Sequence, residues 1–226
     1  MLILGVDTSG KNGSIALVQC EPGKHLTLDI IPLDGGTFSA QLVPQISQLL
    51  QSHNFTKNEI DAFAVVSGPG SFTGLRVGLA AIKALAEILR KPIASVSLLE
   101  AVAVAGVMQG RVLAALDAGR GGIYCGEYAV TNTGTKLLSQ QLLNGDEFLA
   151  FTSGGQVVTP DARIAELLRE RELVVRHIDF PKADAIARIG FEKVQAGEVV
   201  SPEALDANYI RRSDAELKKP SGAYQP

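Results

Sequence analysis

The sequence predicts an α/β protein built from two related halves. Three observations carry that reading. Short apolar runs alternate with segments of helical periodicity, the pattern of a sheet with parallel neighbours. An apolar strand followed by Asp and a glycine-bearing turn occurs twice: Ile3-Leu4-Gly5-Val6-Asp7-Thr8-Ser9-Gly10 is echoed by Leu113-Ala114-Ala115-Leu116-Asp117-Ala118-Gly119. The 226 residues are 46% hydrophobic with 23 glycines, enough apolar mass for one large core or two small ones.

The elements follow in order. Leu2 to Val6 reads as a buried strand, and the turn-rich segment Thr8 to Gly13 connects it to a second strand, Ser14 to Val18. Leu26 to Leu33 alternates and stops at Gly35-Gly36. From Phe38 onward, Leu42, Ile46, Leu49 and Leu50 recur at helical spacing, with Asn54 near the stop. Ala62 to Val66 is a strand, Thr73 to Arg90 a long helix closed by Lys91-Pro92, and Ile93 to Val96 a strand. The second half opens at Arg111. It continues with a strand edge at Leu137 to Leu143, a helix at Asp161 to Arg171, a strand at Leu173 to Ile178 and a small-residue helix at Lys182 to Ala196. The tail after Pro202 has no clear period, and its Arg211-Arg212 and Lys218-Lys219 sit among acids as a solvated surface would. The expected division is 1–108 for the first lobe and 109–226 for a smaller second one.

Composition excludes several classes. A net charge of −3 lacks the basic footprint of a chain that grips nucleic acid by itself. Two distant cysteines, Cys20 and Cys125, are too few for a disulfide framework or a four-ligand zinc site, and read as reduced thiols. Glu100 interrupts the longest apolar stretch, between Pro92 and Arg111, so no membrane span is expected. The first six residues carry no basic segment and meet Asp7 too early for a secretion signal, so a cytoplasmic protein is expected. His25, His53 and His177 form no ligand pair and have no nucleophile context, so neither a metal nor a catalytic residue is assigned.

Asp7 and Asp117 each end a strand before a glycine-bearing turn. Actin-like and sugar-kinase-like folds place carboxylates and backbone N–H groups at such points around Mg²⁺ and phosphates. Each Asp serves equally as a cap of its own turn. The block Ser67-Gly68-Pro69-Gly70-Ser71-Phe72-Thr73-Gly74-Leu75-Arg76 joins a strand to a helix. It is a candidate anion site at a helix N-terminus or a tight turn with Ser71 or Thr73 as N-cap, and it is not a Walker A loop. The following helix carries a stripe of Gly74, Gly78, Ala81 and Leu85, the preceding one a stripe of Phe38, Leu42, Ile46 and Leu49. Packing within the domain and a subunit interface both account for these stripes.

Ile3-Leu4-Gly5-Val6-Asp7-Thr8-Ser9, Ser67 to Leu79, Leu116-Asp117-Ala118-Gly119-Arg120 and Ala207-Asn208-Tyr209-Ile210-Arg211-Arg212 together resemble the bacterial TsaB family, also called YeaZ. The resemblance implies a two-lobed actin-like ATPase fold of the ribonuclease H-like kind, with duplicated βββαβα halves. It also implies a part in making threonylcarbamoyladenosine in tRNA. The implied role is that of a non-catalytic accessory subunit, homodimeric when isolated, pairing with the catalytic subunit TsaD and joined by TsaE, with tRNA reached through the complex. Its implied interface is built from Phe38, Leu42, Ile46, Leu49, Gly74, Gly78, Ala81 and Leu85. Any nucleotide, weakly bound ATP or ADP with Mg²⁺, is expected between the lobes near Asp7, Asp117, Gly121 and Gly122. Leu98 and Val102 stand where TsaD relatives carry a metal-binding His pair, and neither can ligate a metal. Phe38-Ser39-Ala40 replaces the His-Ser-Glu of many TsaB relatives. The alternatives are a small actin-like kinase or ATPase acting by phosphoryl transfer and, less well supported by the residues, a glycoprotease.

Overall fold

The computed structural model describes residues 1–132, 134–152 and 155–210. Its first half runs β1 (Leu2–Asp7), β2 (Asn12–Glu21), β3 (Lys24–Asp34), α1 (Phe38–Ser52), β4 (Ala62–Gly68), α2 (Phe72–Leu89), β5 (Ile93–Ser97) and α3 (Leu98–Ala105). The second runs β6 (Gly110–Gly119), β7 (Gly122–Thr131), β8 (Gly134–Leu143), α4 (Gly145–Phe151), β9 (Gln156–Thr159), α5 (Ala162–Arg169), β10 (Val175–His177) and α6 (Ala183–Gln195). The sheets have strand orders β3-β2-β1-β4-β5 and β10-β9-β6-β7-β8. Advancing every strand of the first sheet by five gives the second, read from its other edge. Pairing agrees as well: β1 and β6 are each antiparallel to the next strand and parallel to the third one after it. The duplication suggested by the two Asp turns therefore covers the whole βββαβαβα unit.

Sequence pattern explains most of these elements. All residues of β1 and of β4 are buried, as expected of central strands covered on both faces. Arg90 closes α2 in the left-handed conformation, φ 54°, and Lys91-Pro92 prevents continuation. Three elements carried no usable signal. The apolar α3 has no polar face to set its phase, and α4 and β9, of 7 and 4 residues, are too short for periodicity to register.

The two halves exchange their last helices. Although α3 follows a strand of the first sheet, it packs on β6 and β7; α6, from the second half, lies across β1, β2, β4 and β5. Its inward face is Ala183, Ile186, Ala187, Gly190 and Phe191, the spacing of one helical stripe. Small residues let the helix sit close, since a Cβ on Gly190 would stand 2.3 Å from that of Ala64. Glu100 of α3 and Lys193 of α6 form an ion pair at 3.2 Å where the exchanged helices meet. Burial pushes the Glu100 carboxyl up, against the pull of the lysine. The division at 108/109 thus separates the sheets but not the packing. The main core includes residues of both halves, and a smaller one, around Cys125, Phe148 and Leu168, lies under α4 and α5.

Candidate functional site

The first Asp turn is closed on itself. Asp7 Oδ1 accepts from the backbone N–H of Ser9 at 2.8 Å and from its hydroxyl at 2.6 Å, and the side chain is buried. Burial pushes its carboxyl up, with the two Ser9 hydrogen bonds opposing. The second turn repeats the geometry: Asp117 Oδ1 accepts from Gly119 N–H at 2.9 Å, again two residues on. Asp117 is exposed, its own N–H donates to Asp161 Oδ2 at 2.8 Å, and its Oδ2 lies 3.7 Å from the Arg163 guanidinium.

Between the lobes lies a cleft of about 760 Å³. Ser9 to Lys11, Gly35-Gly36, Phe38-Ser39 and the Gly70 to Val77 segment line one side, and Asp117 to Gly119 with Tyr124 the other. Of the four residues expected at a nucleotide, Asp117 alone is in this lining; Asp7 is turned into its own loop, Gly121 lies in the β6–β7 turn, and Gly122 opens β7 opposite Gly119. The glycine-rich block does not offer its donors freely. Ser71 N–H is held by Ser9 C=O at 2.6 Å, and Ser71 Oγ accepts from Gly74 N–H at 3.3 Å as an N-cap. The block's glycines are explained by contact with the Asp7 turn. A Cβ on Gly70 would fall 2.5 Å from Ser9 O, and one on Gly74 2.1 Å from Thr8 O. Thr8 Oγ1 in turn donates to Gly74 C=O at 2.8 Å.

This packing relocates the helix stripes. Phe38, Leu42, Ile46 and Leu49 are buried in the chain's own core, and Gly74 and Gly78 lie beneath Thr8, whose Oγ1 would be 2.3 Å from a Gly78 Cβ. Six of the eight interface residues expected from sequence therefore face inward; Ala81 and Leu85 remain half-buried. The spacing was right for a packed stripe, but spacing alone does not say whether the partner is one's own sheet or another chain. The exposed residues include Ala40, Val43, Pro44, Ser47, Gln48 and Gln51 on α1 and Phe72, Arg76, Ala80, Ala84, Glu87 and Ile88 on α2, with Val43 55% and Ile88 72% exposed. The two helices lie side by side, and Ala40, Val43, Pro44, Ala80, Ala84 and Ile88 are exposed apolar residues on them.

The terminal segment carries contacts that its lack of periodicity concealed. Asn208 N–H donates to Ser67 C=O at 2.7 Å, and its side-chain amide exchanges hydrogen bonds of 3.1 and 3.2 Å with Gln140 of β8. Tyr209 rests against Phe72 with ring centroids 5.1 Å apart. Arg211 and Arg212 lie outside the described residues. Leu98 and Val102 are buried on α3. His25 packs its edge on Phe191, His53 stands 3.5 Å from Asp29, and His177 3.3 Å from the Pro160 carbonyl. Among the described residues, no three His, Cys, Asp or Glu side chains cluster, and no helix is long and apolar enough to cross a membrane.

Comparison with known proteins extends this picture. Residues 35–200 match the family described as TsaD, tRNA N6-adenosine threonylcarbamoyltransferase. The transferase of Protochlamydia amoebophila is 31% identical, but over 48% of this chain and 35% of its own length. The tRNA threonylcarbamoyladenosine biosynthesis protein TsaB of Bacillus subtilis is 33% identical over 96% of this chain and 97% of its own, and that of Escherichia coli 27% identical over 97% and 99%. The structure of YeaZ from Pseudomonas aeruginosa superposes with a TM-score of 0.75 at 25% identity, covering 92% of this chain and 99% of that one. The near-complete coverage, with the duplicated sheets and paired Asp turns of a two-lobed actin-like fold, shows that this chain belongs to the TsaB family.

Proposed function

We propose that this protein is a non-catalytic subunit of the machinery that installs threonylcarbamoyladenosine in tRNA, and that it supports the catalytic subunit TsaD. The observation that carries the reading is the exposure of small and apolar side chains on the neighbouring helices α1 and α2, Val43, Ala80, Ala84 and Ile88 among them. Small side chains let the helices of a partner approach closely, so that dispersion contacts accumulate along the full length. A partner using the same fold would complete a four-helix contact there, and a second copy of this chain would compete for that surface. TsaE would join the TsaD pair, and tRNA would be reached through the assembly.

The site chemistry agrees with a supporting role. Phosphoryl transfer needs carboxylates and donors converging on the phosphates, whereas Asp7 and the Ser71 N–H are engaged within the fold. The cleft is within the size range of small-molecule pockets, and it offers Lys11, Asp117 and Tyr124 to a weakly held ATP or ADP. Titration calorimetry with ATP and Mg²⁺ should then give weak binding that falls further in Asp117→Ala.

The direct experiment is transfer of the threonylcarbamoyl group to tRNA by purified components. Product should require TsaD, and this chain should raise its yield without forming product alone. Modification by this chain in the absence of TsaD would overturn the proposal.

A further inference from the structure

Of the chain's 8 Phe and 4 Tyr, Phe38, Phe63, Phe148, Phe191 and Tyr128 are buried, whereas Phe180 and Phe72 are exposed. Phe72 belongs to a cluster. At the first turn of α2, Phe72 is 39% exposed, the Arg76 guanidinium lies 3.7 Å from the centre of its ring, and Tyr209 rests against it at a 31° tilt. Arg76 Nε donates to the Tyr209 hydroxyl at 3.2 Å, and no carboxylate among the described residues forms an ion pair with this arginine. The result is a surface cluster in which the Arg76 guanidinium lies over one face of the exposed Phe72 ring and, among the described residues, has no carboxylate to neutralise it.

We infer that the Phe72–Arg76–Tyr209 cluster is a contact site for one nucleotide of single-stranded RNA, the base stacking on the platform and the phosphate meeting Arg76. The chemistry selects this partner over others. An acidic peptide needs the cation but gains little from the rings, and an apolar segment would have to bury a guanidinium that no carboxylate among the described residues neutralises. A nucleotide matches both, having a π face on every base and a charge on every phosphate. The net charge of −3 confines the contact to this spot, so affinity for RNA in the free chain is low, and the rest of the grip comes from the assembly. The inference rests on the tRNA-modification reading, but its readout is RNA stacking rather than subunit association, so the two can fail separately.

The test titrates the full chain into a short single-stranded RNA carrying one 2-aminopurine, whose fluorescence is quenched when the base stacks. Wild type should quench at low salt. Phe72→Leu should weaken the interaction roughly tenfold, the loss expected of one stacking partner, with an unchanged circular dichroism spectrum. Arg76→Gln, at an exposed position, should weaken it and flatten its salt dependence; it carries the test should Phe72→Leu fold poorly. Binding without quenching would mean a phosphate contact only, and would overturn the inference. So would equal quenching by wild type and both variants, or variants that impair TsaD association while leaving RNA unaffected.

Discussion

Replacing Gly78 by Ala separates the inward from the outward face of α2. In an exposed helix interior this exchange stabilises by about 0.8–1 kcal/mol, because Ala loses less backbone freedom on folding. Here the new Cβ would meet Thr8 Oγ1 at 2.3 Å and Thr8 Cβ at 3.5 Å. Thr8 is 1% exposed, and its hydroxyl is committed to Gly74 C=O. Rotating Thr8 away forfeits that hydrogen bond, worth about 1 kcal/mol, and leaving it in place overpacks the contact at a cost of about 1–3 kcal/mol. After the propensity gain, the balance is a net loss of up to about 2 kcal/mol instead of a gain. For a chain of this size that lowers Tm by up to about 8 °C. Urea and thermal denaturation of wild type and Gly78→Ala would measure it. A variant more stable than wild type would put the Gly74–Gly78 row on the surface and refute the packing described above.

Three further outcomes are expected. A carboxyl whose folded-state pKa is raised by burial favours folding most below its ordinary value of 3.8, and this contribution is lost as pH rises through the folded value. Asp7→Asn keeps the acceptor for Ser9 and lacks this dependence, so its stability should equal or exceed that of wild type at neutral pH; a large loss there would mean that the charge itself is needed. Burial pushes the Cys20 thiol up to about 11 and the Cys125 thiol up to about 12. Neither should react with a disulfide reagent at pH 8 until denaturant is added, and rapid labelling of native protein would contradict their burial. Asn208→Ala leaves Gln140 without its amide partner and should cost about 1 kcal/mol in denaturant titrations, whereas an unchanged midpoint would mean that this contact does not hold the terminal segment to β8.

Much of the architecture was legible because local signals agreed with the tertiary outcome. The strand-Asp-turn pattern at Asp7 and Asp117 revealed the duplication, and Ser71 was readable as an N-cap. The exchange of α3 and α6 was not, because an amphipathic stripe such as Ala183 to Phe191 states that it is buried but not against which sheet. The same ambiguity applies to the helix stripes. Phe38, Leu42, Gly74 and Gly78 look in sequence like an interface, yet their partners are the chain's own core and Thr8. Ala80 and Ala84 carry little hydrophobic signal and became visible through exposure alone. Tyr209 touches Phe72 and Arg76, and its hydrogen bond with Arg76 joins positions 133 residues apart, which no periodic pattern encodes.

The central claim is that the outer face of α1 and α2 docks TsaD, and Ala84→Glu tests it most directly. Ala84 is exposed in the free chain, so the variant should fold within about 0.5 kcal/mol of wild type. Buried against a partner, the unpaired carboxylate should cost about 3–5 kcal/mol, a loss of two or more orders of magnitude in affinity. Calorimetric titration with TsaD should therefore show association in wild type and none in Ala84→Glu at the same concentrations. Binding of the folded variant at wild-type affinity would contradict the claim and place the contact elsewhere.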